Sequence, residues 1–349
     1  MTLLERIGLI APIFQAPMAG VATPALAAAV SEAGGLGALG LGASDSEAAR
    51  AMIEETRART DRAFHVNLFV HATPRTDAAR EAAWLAALAP TFAEASAEPP
   101  EALTSPYTSF ARDDAMLAML CEERPAVVSF HFGLPEAARA AALREAGCLL
   151  LASVTSPAEA LAAERAGMDA VIAQGYEAGG HRGMFDPDAP DDRLGTMALT
   201  RLLARRSTIP VIAAGGIMDG AGIAAALSLG AVAAQLGTAF VACPESAADA
   251  GYRAALAGAA ADHTIMTRAI SGRPARCLAN RFTRLGETLP VPVPDYPRAY
   301  HAGKALNAAH KAAGEPGYGA QWAGQGAPLA RALPARELMA LLIDELKAV

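Results

Sequence analysis

The chain has 349 residues, of which 53% are apolar and only 5% aromatic, so it can bury a large core but offers few rings on which nucleic-acid bases could stack. Its 29 basic and 36 acidic residues give a net charge of −7, which argues against non-specific binding of nucleic acid. The four cysteines form no C-x-x-C pair and no zinc-ligand spacing with histidine. This usage disfavours a disulfide framework or metal site and predicts a cytoplasmic protein.

Two long uncharged runs, 7–31 and 220–244, resemble targeting or membrane segments at first sight. Pro17 and Pro24 interrupt the first run, which removes the apolar helical core that a signal peptide needs. The second run divides at Gly230 into a helix and a strand, each too short to cross a bilayer. We therefore predict no membrane segment.

A short apolar strand followed by a helix recurs eight times before about residue 245. The predicted strands are 13–18, 36–41, 64–70, 127–131, 148–153, 170–174, 210–214 and 232–236. Predicted helices include 24–33, 46–57, one from Pro74, 113–121, one from Pro135 to about 144, one opened by Ser156 and Pro157, and 220–229. This alternation indicates α/β class and a parallel sheet, and eight repeats predict a (β/α)8 TIM barrel. The alternative, an open doubly wound sheet, is disfavoured because no G-x-G-x-x-G opens the first helix.

The residues beyond the eighth repeat do not continue the barrel pattern. Helices are expected near 247–261 and 304–313, with a stiff, proline-rich segment at 289–297 between them and a closing helix at 336–349. The predicted organisation is a cofactor-binding barrel over 1–244, a small, mostly helical domain over the barrel mouth at 245–310, and a C-terminal segment that returns to the barrel at 311–349.

Six of the eight predicted strands end in polar or glycine residues, and in a barrel these ends meet at one mouth. His131 ends the fourth strand, although a lone histidine at such a position can equally be a core residue that caps a loop. Amides at Gln15, Asn67, Gln174 and Gln235 could hydrogen-bond the edge of a flat, amide-rich ring.

Glycine-containing turns after the last two strands predict a phosphate site. Gly215 and Gly216 follow the seventh strand, and Gly237 and Thr238 follow the eighth. Glycine lets the backbone approach a phosphate, and barrel enzymes often bind phosphate at this place, although plain turns also use glycine. A flavin mononucleotide (FMN) meets both demands, because it carries a phosphate at one end and an amide-rich ring at the other. No acidic cluster with metal-ligand spacing is present, so no metal is predicted.

Several stretches along nearly the whole chain match a known pattern. They are QAPMAG at 15–20, NLF at 67–69, HFGLP at 131–135, EAGGHR at 177–182, Tyr296, Tyr300 and Lys304 spaced four apart, and QWAGQ at 321–325. In this combination the chain resembles the class I branch of the nitronate monooxygenases, formerly called 2-nitropropane dioxygenases. It departs from the pattern at Ala22, where a hydroxyl residue is expected. The resemblance implies an FMN-containing barrel that oxidises alkyl nitronates, such as the toxin propionate 3-nitronate, with O2 to a carbonyl compound and nitrite or related nitrogen oxides.

The same resemblance implies roles for individual residues. The cofactor-binding residues would be Pro17, Met18, Asn67, Gln174, Gly179, Gly180, Gly215, Gly216, Gln235, Leu236, Gly237 and Thr238. His131 would be the catalytic residue, removing the α-proton of a neutral nitroalkane, since a histidine pKa lies near neutral. Lys304 could pair with a substrate carboxylate, although the tyrosine–lysine spacing is also that of a solvated helix face. The substrate-binding residues would be His181, Tyr107, Tyr296, Tyr300 and Lys304.

Other functions remain open at the level of sequence. An NAD(P)H-dependent quinone reductase or enoyl-thioester reductase could use the same barrel and FMN, and would differ in whether NADH or NADPH reduces the flavin. An inosine-monophosphate-binding barrel would need a nucleophilic cysteine at the mouth, where neither Cys148 nor Cys243 is well placed. A non-enzymatic binding or scaffold protein is a further alternative. It would not need polar residues at the strand ends, so their presence argues against it. The sequence carries no signal for a particular oligomeric state.

Overall fold

The computed structural model describes residues 1–349 and contains eleven strands, most of them short runs of Val, Ile, Leu and Ala. Eight are parallel and fully or almost fully buried, as expected of strands covered by helices. The eight predicted strands are all present; two have the predicted ends, and the ends of the other six are shifted by at most three residues. The strands are β1 Ile13–Gln15, β2 Gly37–Gly40, β3 Phe64–Phe69, β4 Val127–His131, β5 Leu149–Val154, β6 Ala170–Gln174, β7 Gly180–His181, β8 Val211–Ala214, β9 Ala233–Leu236, β10 Thr264–Thr267 and β11 Ala275–Leu278.

The eight parallel strands close into a barrel, which confirms the predicted (β/α)8 fold. Their spatial order is β1, β9, β8, β6, β5, β4, β3, β2, and a parallel bridge between Phe14 and Leu36 joins the two ends. The Gln15 side chain strengthens this seam, because its Nε2 donates to the Ala38 carbonyl at 2.9 Å and its Oε1 accepts from the Ala38 N–H at 3.1 Å. Gln15 is therefore used in barrel closure and does not line the mouth, contrary to the role predicted for it.

The lower part of the barrel interior is an apolar floor. Leu3 and Ile7 of the N-terminal helix join it, so that this helix packs against the floor. Above the floor, the carboxyl ends of the strands carry the polar residues noted in the sequence. The fully or nearly fully buried strand residues of the floor include Phe14, Val127, Leu151, Ala170, Ile172, Ile212 and Ala233.

Fourteen α-helices surround and cover the barrel, and several begin where the sequence predicts because a side chain caps the first turn. Capping side chains that accept from the first turn include those of Thr23, Asp45 and Ser156. Two of the barrel helices begin two or more residues later than predicted. Asp77, not Pro74, precedes and caps the helix after β3. The helix after β4 begins at Ala137 instead of Pro135, because a turn in which Phe132 has a φ of +76° comes first. The helices are α1 Leu3–Ile7, α2 Pro24–Glu32, α3 Ser46–Arg57, α4 Ala78–Glu94, α5 Asp114–Glu123, α6 Ala137–Glu145, α7 Pro157–Arg165, α8 Thr196–Arg206, α9 Gly220–Ser228, α10 Thr238–Val241, α11 Ala250–Ala257, α12 Arg281–Thr288, α13 Arg298–Ala312 and α14 Ala335–Lys347.

A second, three-stranded sheet lies at the barrel mouth, and the sequence analysis missed it. The central strand β11 pairs antiparallel with β10 and with β7, so that His181 lies opposite Ala275 and Gly180 opposite Arg276. A two-residue strand has no periodicity of its own, and its partner is more than ninety residues away in the chain, which explains why local patterns do not reveal it. The loop after β6 and the region beyond residue 244 therefore share one sheet.

Ion pairs fasten the first residue of α13 and the segment before it to α4 and the residues that lead into α4. Both Arg298 Nε and Arg298 Nη2 lie 2.6 Å from the Glu81 carboxylate, and the pair is largely buried. One turn earlier, Asp295 accepts from Arg75 at 2.8 Å and from Arg80 at 3.0 Å. Tyr296, which lies between these pairs, is thus held over the barrel mouth. At the other end of the chain, α14 packs on α2 and α9, and none of the helices combines the length and apolarity that a bilayer span requires.

Candidate active site

A cavity of about 720 Å³ opens at the carboxyl ends of the barrel strands. All residues predicted to act in catalysis, cofactor binding or substrate binding line it, except Leu236. The Leu236 side chain packs with Ile13 and Leu342 in the core between barrel and helices, while its carbonyl accepts from the Ala16 N–H at 2.7 Å. Leu236 can therefore contribute to the site only through its backbone.

Three amide side chains, Asn67, Gln174 and Gln235, reach the cavity from three different strands. The Gln174 amide is already used within the protein, because it accepts from the Gly183 N–H at 2.7 Å and donates to the His181 carbonyl at 3.0 Å. Gln235 is different, since its Oε1 is buried and has no hydrogen-bond partner. An unpaired buried oxygen is costly, so this atom marks a place where a ligand N–H fits.

Bare backbone forms the wall of the cavity beside the last two barrel strands. Gly215 and Gly216 have φ values of +124° and +69°, which a residue with a side chain rarely adopts. Gly179 packs so closely on the C-terminal segment that a Cβ there would come within 2.5 Å of the Gly324 nitrogen. The same Gly324 N–H donates to Thr238 Oγ1 at 3.0 Å, so that several loops converge at this wall.

The His131 ring projects from the end of β4 into the cavity. Its Nε2 lies 3.1 Å from the His181 carbonyl, which can only accept, so Nε2 carries the hydrogen and Nδ1 is the free acceptor. Burial lowers the pKa of His131 to about 4, the bond to His181 offsets this in part, and the positive charge of Arg273 adds to the lowering. The near-neutral pKa predicted from sequence is therefore wrong, and His131 is uncharged at neutral pH.

A cage of aromatic rings surrounds His181. Its ring centroid lies 5.1 Å from that of Trp322, 5.3 Å from Tyr296 and 6.0 Å from Tyr300, and Tyr107 lies 5.9 Å from Tyr300. Burial lowers the pKa of His181 to about 3, and neighbouring positive charge contributes. The structure thus brings together residues that are far apart in sequence. Trp322 was not among the predicted site residues, although the QWAGQ stretch that contains it was noted.

The cavity lining contains an unpaired cation, Lys304, and no unpaired carboxylate. Lys304 Nζ lies 4.5 Å from the ring centroid of Tyr107 and 5.4 Å from that of Tyr300, and it forms no ion pair. Partial burial lowers the pKa of its ammonium group. The single carboxylate in the lining, Asp249, is paired with Lys311 at 2.9 Å. This arrangement favours an anionic ligand near Lys304.

Arg273 adds a second positive charge behind the cavity and was missed by the sequence analysis. Its guanidinium lies 4.2 Å from the ring centroid of Phe132, is almost fully buried and forms no ion pair. Burial lowers the pKa of Arg273 to about 10, so the group still carries its charge at neutral pH. No local motif signals this role, because the position of Arg273 depends on the loop that leads into β11.

We expect the protein to lose stability as the pH falls from about 6.5 towards 4. The folded state lowers the pKa of His65 to about 3, of His131 to about 4 and of His181 to about 3, each mainly through burial. The unfolded chain, with histidine pKa values near 6.5, binds more protons in this window, so acid favours unfolding by up to about 1.4 kcal/mol per histidine and pH unit. Melting temperatures measured between about pH 7.5 and 5 check this. The melting temperature should fall less in His131→Asn than in the wild type. An equal fall in both proteins would contradict the contribution of His131 to this loss of stability.

Comparison with known proteins gives a consistent result. The family model described as nitronate monooxygenase matches residues 2–345. The nitronate monooxygenase of Paraburkholderia phytofirmans is 63% identical over 346 residues, covering 99% of this chain and 94% of its own length, and that of Pseudomonas aeruginosa is 56% identical, covering 98% and 97%. The crystal structure of the nitroalkane oxidase from Streptomyces ansochromogenes is 44% identical, with a TM-score of 0.88 over 97% of this chain and 96% of that one. This agreement over the full length confirms the predicted family: the chain belongs to the nitronate monooxygenases.

Proposed function

We propose that this protein is an FMN-dependent nitronate monooxygenase that oxidises alkyl nitronates with O2 to a carbonyl compound and nitrite or related nitrogen oxides. The observation that carries the proposal is the combination, in one cavity, of an uncharged histidine, an unpaired lysine and a wall of bare backbone. Toxic nitronates such as propionate 3-nitronate would be removed by this reaction. The proposed setting is the cytoplasm, supported by four free cysteines, with the nitronate and O2 as partners and no role for nucleic acid.

The family is flavin-dependent, and the residues present fit FMN. The unpaired Oε1 of Gln235 could accept from a ring N–H, and the glycine turns after β8 and β9 leave space for a phosphate against the backbone. When bound, the flavin would supply an electron acceptor for the nitronate that can be reoxidised by O2. The residues that would hold it are Pro17, Met18, Asn67, Gln174, Gly179, Gly180, Gly215, Gly216, Gln235, Gly237 and Thr238, with Leu236 contributing only its backbone.

His131 would have different tasks with different substrates. A neutral nitroalkane must lose its α-proton, and the uncharged ring can take it on Nδ1, which makes no hydrogen bond within the protein. The low pKa of the resting histidine rises as the nitronate anion forms beside it, so proton transfer becomes more favourable as it proceeds. A preformed nitronate has no such proton to lose, and His131 then helps only to position it.

The positive charges and hydroxyl groups of the cavity would stabilise the anionic substrate. Arg273 and Lys304 both carry positive charge that no carboxylate neutralises directly. The Tyr296 hydroxyl is buried without a hydrogen-bond partner, so it can donate to a nitro oxygen. Tyr107 and Tyr300 flank Lys304 and would close over the substrate together with His181.

Lys304→Met should lower kcat/KM for propionate 3-nitronate by about 10- to 100-fold but that for propyl-1-nitronate by no more than about threefold. The lysine would form a charge-assisted contact with the carboxylate of the first substrate, which the second substrate lacks. Steady-state kinetics with both substrates measure the difference. Lys347→Met, at an exposed position near the C-terminus, is the matched control and should behave as wild type. Equal losses on both substrates would exclude carboxylate recognition by Lys304.

The test of the proposed function is anaerobic mixing of the purified, flavin-loaded protein with a nitronate and, separately, with NADH and NADPH. We expect the nitronate to bleach the flavin absorbance and the nucleotides to leave it unchanged. Rapid bleaching by a nucleotide without a reaction with the nitronate would instead support a quinone reductase or enoyl-thioester reductase. A protein that purifies without flavin and cannot be loaded with it would contradict both enzymatic functions.

A further inference from the structure

Two polar side chains lie inside the barrel beneath the cavity and do not line it: His65 of β3 and Ser129 of β4. Both are fully buried, in a region whose floor is otherwise apolar. His65 points to the same side of β3 as Asn67, two residues further on, and Asn67 does line the cavity. Asn67 and Ser129 are also direct neighbours in the register of β3 and β4. The polar pair therefore contacts the site through Asn67.

The hydrogen bonds among these three residues can form a chain in which Asn67 donates to Ser129 and Ser129 donates to His65. Asn67 Nδ2 lies 2.7 Å from Ser129 Oγ and 3.3 Å from the Ser129 carbonyl. Because a carbonyl only accepts, the amide nitrogen must face Ser129, and the amide oxygen Oδ1 is turned away and makes no hydrogen bond within the protein. Ser129 Oγ accepts from Asn67, so its own hydrogen is available for His65 Nε2, at 2.5 Å.

This arrangement has a cost for the folded protein. If His65 Nε2 accepts from Ser129, the hydrogen of the neutral ring is on Nδ1, which is buried without a partner. Burial lowers the pKa of His65 to about 3, so the ring stays uncharged and cannot gain an ion pair. An apolar pair would fill the same space without these penalties. The pair is therefore better explained by what it does to Asn67 than by stability.

We propose that Ser129 and His65 are positioning residues that hold the Asn67 amide with its oxygen towards the flavin. Asn67 then offers the cofactor an acceptor and no donor, whereas an amide released from Ser129 can rotate and present either group. The inference rests on the proposed FMN site. It adds that Ser129 and His65 determine whether Asn67 accepts a hydrogen bond from the cofactor or donates one to it. A hydrogen-bond acceptor next to a flavin ring changes both the affinity for the cofactor and its electronic spectrum.

The test measures the FMN dissociation constant and the visible absorption spectrum of the bound flavin in Ser129→Ala. We expect about tenfold weaker binding and a shifted absorption band. Ser31→Ala is the matched control, because Ser31 is equally buried and donates to the Ala63 carbonyl at 2.9 Å but does not line the cavity. It should lower the melting temperature and leave affinity and spectrum unchanged.

A second measurement separates positioning from a general packing effect. In an Asn67→Ala background, Ser129→Ala should cause no further loss of FMN affinity, because no amide remains to be oriented. Wild-type affinity and spectrum in Ser129→Ala, or a loss that persists in the Asn67→Ala background, would overturn the inference. If Ser129→Ala does not fold, His65→Leu is used instead. An unchanged flavin spectrum in His65→Leu would also overturn the inference. Failure of the wild type to bind FMN would contradict the proposed function, so the two failures are distinct.

Discussion

Replacement of His131 by asparagine should lower kcat/KM for a neutral nitroalkane by about 10³-fold, and that for the matching preformed nitronate by no more than about tenfold. A general base contributes about 10²- to 10⁴-fold to proton removal, and only the neutral substrate needs its α-proton removed. His131 is suited to this step because burial keeps its pKa near 4 and its Nδ1 is free within the protein. Asparagine leaves a neutral polar side chain but removes the base, and its amide ends near the position of Nδ1, short of the His181 carbonyl, so the melting temperature and flavin content of the variant are measured alongside its activity.

The measurement is a pair of steady-state assays with nitroethane and with ethylnitronate under otherwise identical conditions. His263→Asn is the matched control, because His263 is exposed and lies outside the cavity. It should leave both activities at the wild-type level. If His131→Asn reduces both activities by the same factor, His131 is not a base and acts only in positioning or in charge stabilisation.

Gly179→Ala should yield a protein that binds flavin about 100-fold more weakly than the wild type and is purified with little of it. A Cβ at this position would lie 2.5 Å from the Gly324 nitrogen and 2.6 Å from the Ala323 carbonyl carbon. Both contacts are backbone atoms, so no side chain can rotate away, and the loop after β6 must move. That loop also carries Gly180 and His181, which line the cavity. The flavin-to-protein absorbance ratio after purification and an FMN titration of the stripped protein measure the effect.

Gly8→Ala provides the control for this substitution. Gly8 has a φ of +80°, but no atom lies within 4 Å of the place that a Cβ would occupy, so alanine there introduces backbone strain of about 1 kcal/mol without a clash. Its melting temperature should fall while its flavin content remains that of the wild type. A Gly179→Ala protein with a full complement of flavin would show that the contact with Gly324 does not shape the site.

The sequence predicted those features that local chemistry decides. The helix predicted at 46–57 has these ends in the structure, where Asp45 caps its first turn. The barrel followed from the repeated alternation of strands and helices. The residues of the barrel mouth were predicted because polar side chains stand at the strand ends. The structure brings them into one cavity.

Features that depend on distant parts of the chain were not predictable in this way. The pairing of β7 with β11 joins residues about ninety-five positions apart, and neither strand has a strong pattern. The charge of Arg273 reaches the site only because the loop before β11 is folded against Phe132. The low pKa of His131 likewise results from burial against other segments, including the loop that carries His181, and from the charge of Arg273, none of which the sequence of β4 encodes.

The sheet shared by β7 and β11 limits how this protein can be recombined with its relatives. A chimera that exchanges only residues 245–310 would place a foreign β11 against Gly180 and His181. The His181 carbonyl holds both the His131 ring and the Gln174 amide, so a poor fit between the two strands would displace the proposed base and a proposed flavin contact together. A chimera that keeps its activity should therefore exchange residues 175–183 together with 245–310. The two segments must come from the same parent because they pair in one sheet, although they are far apart in the chain.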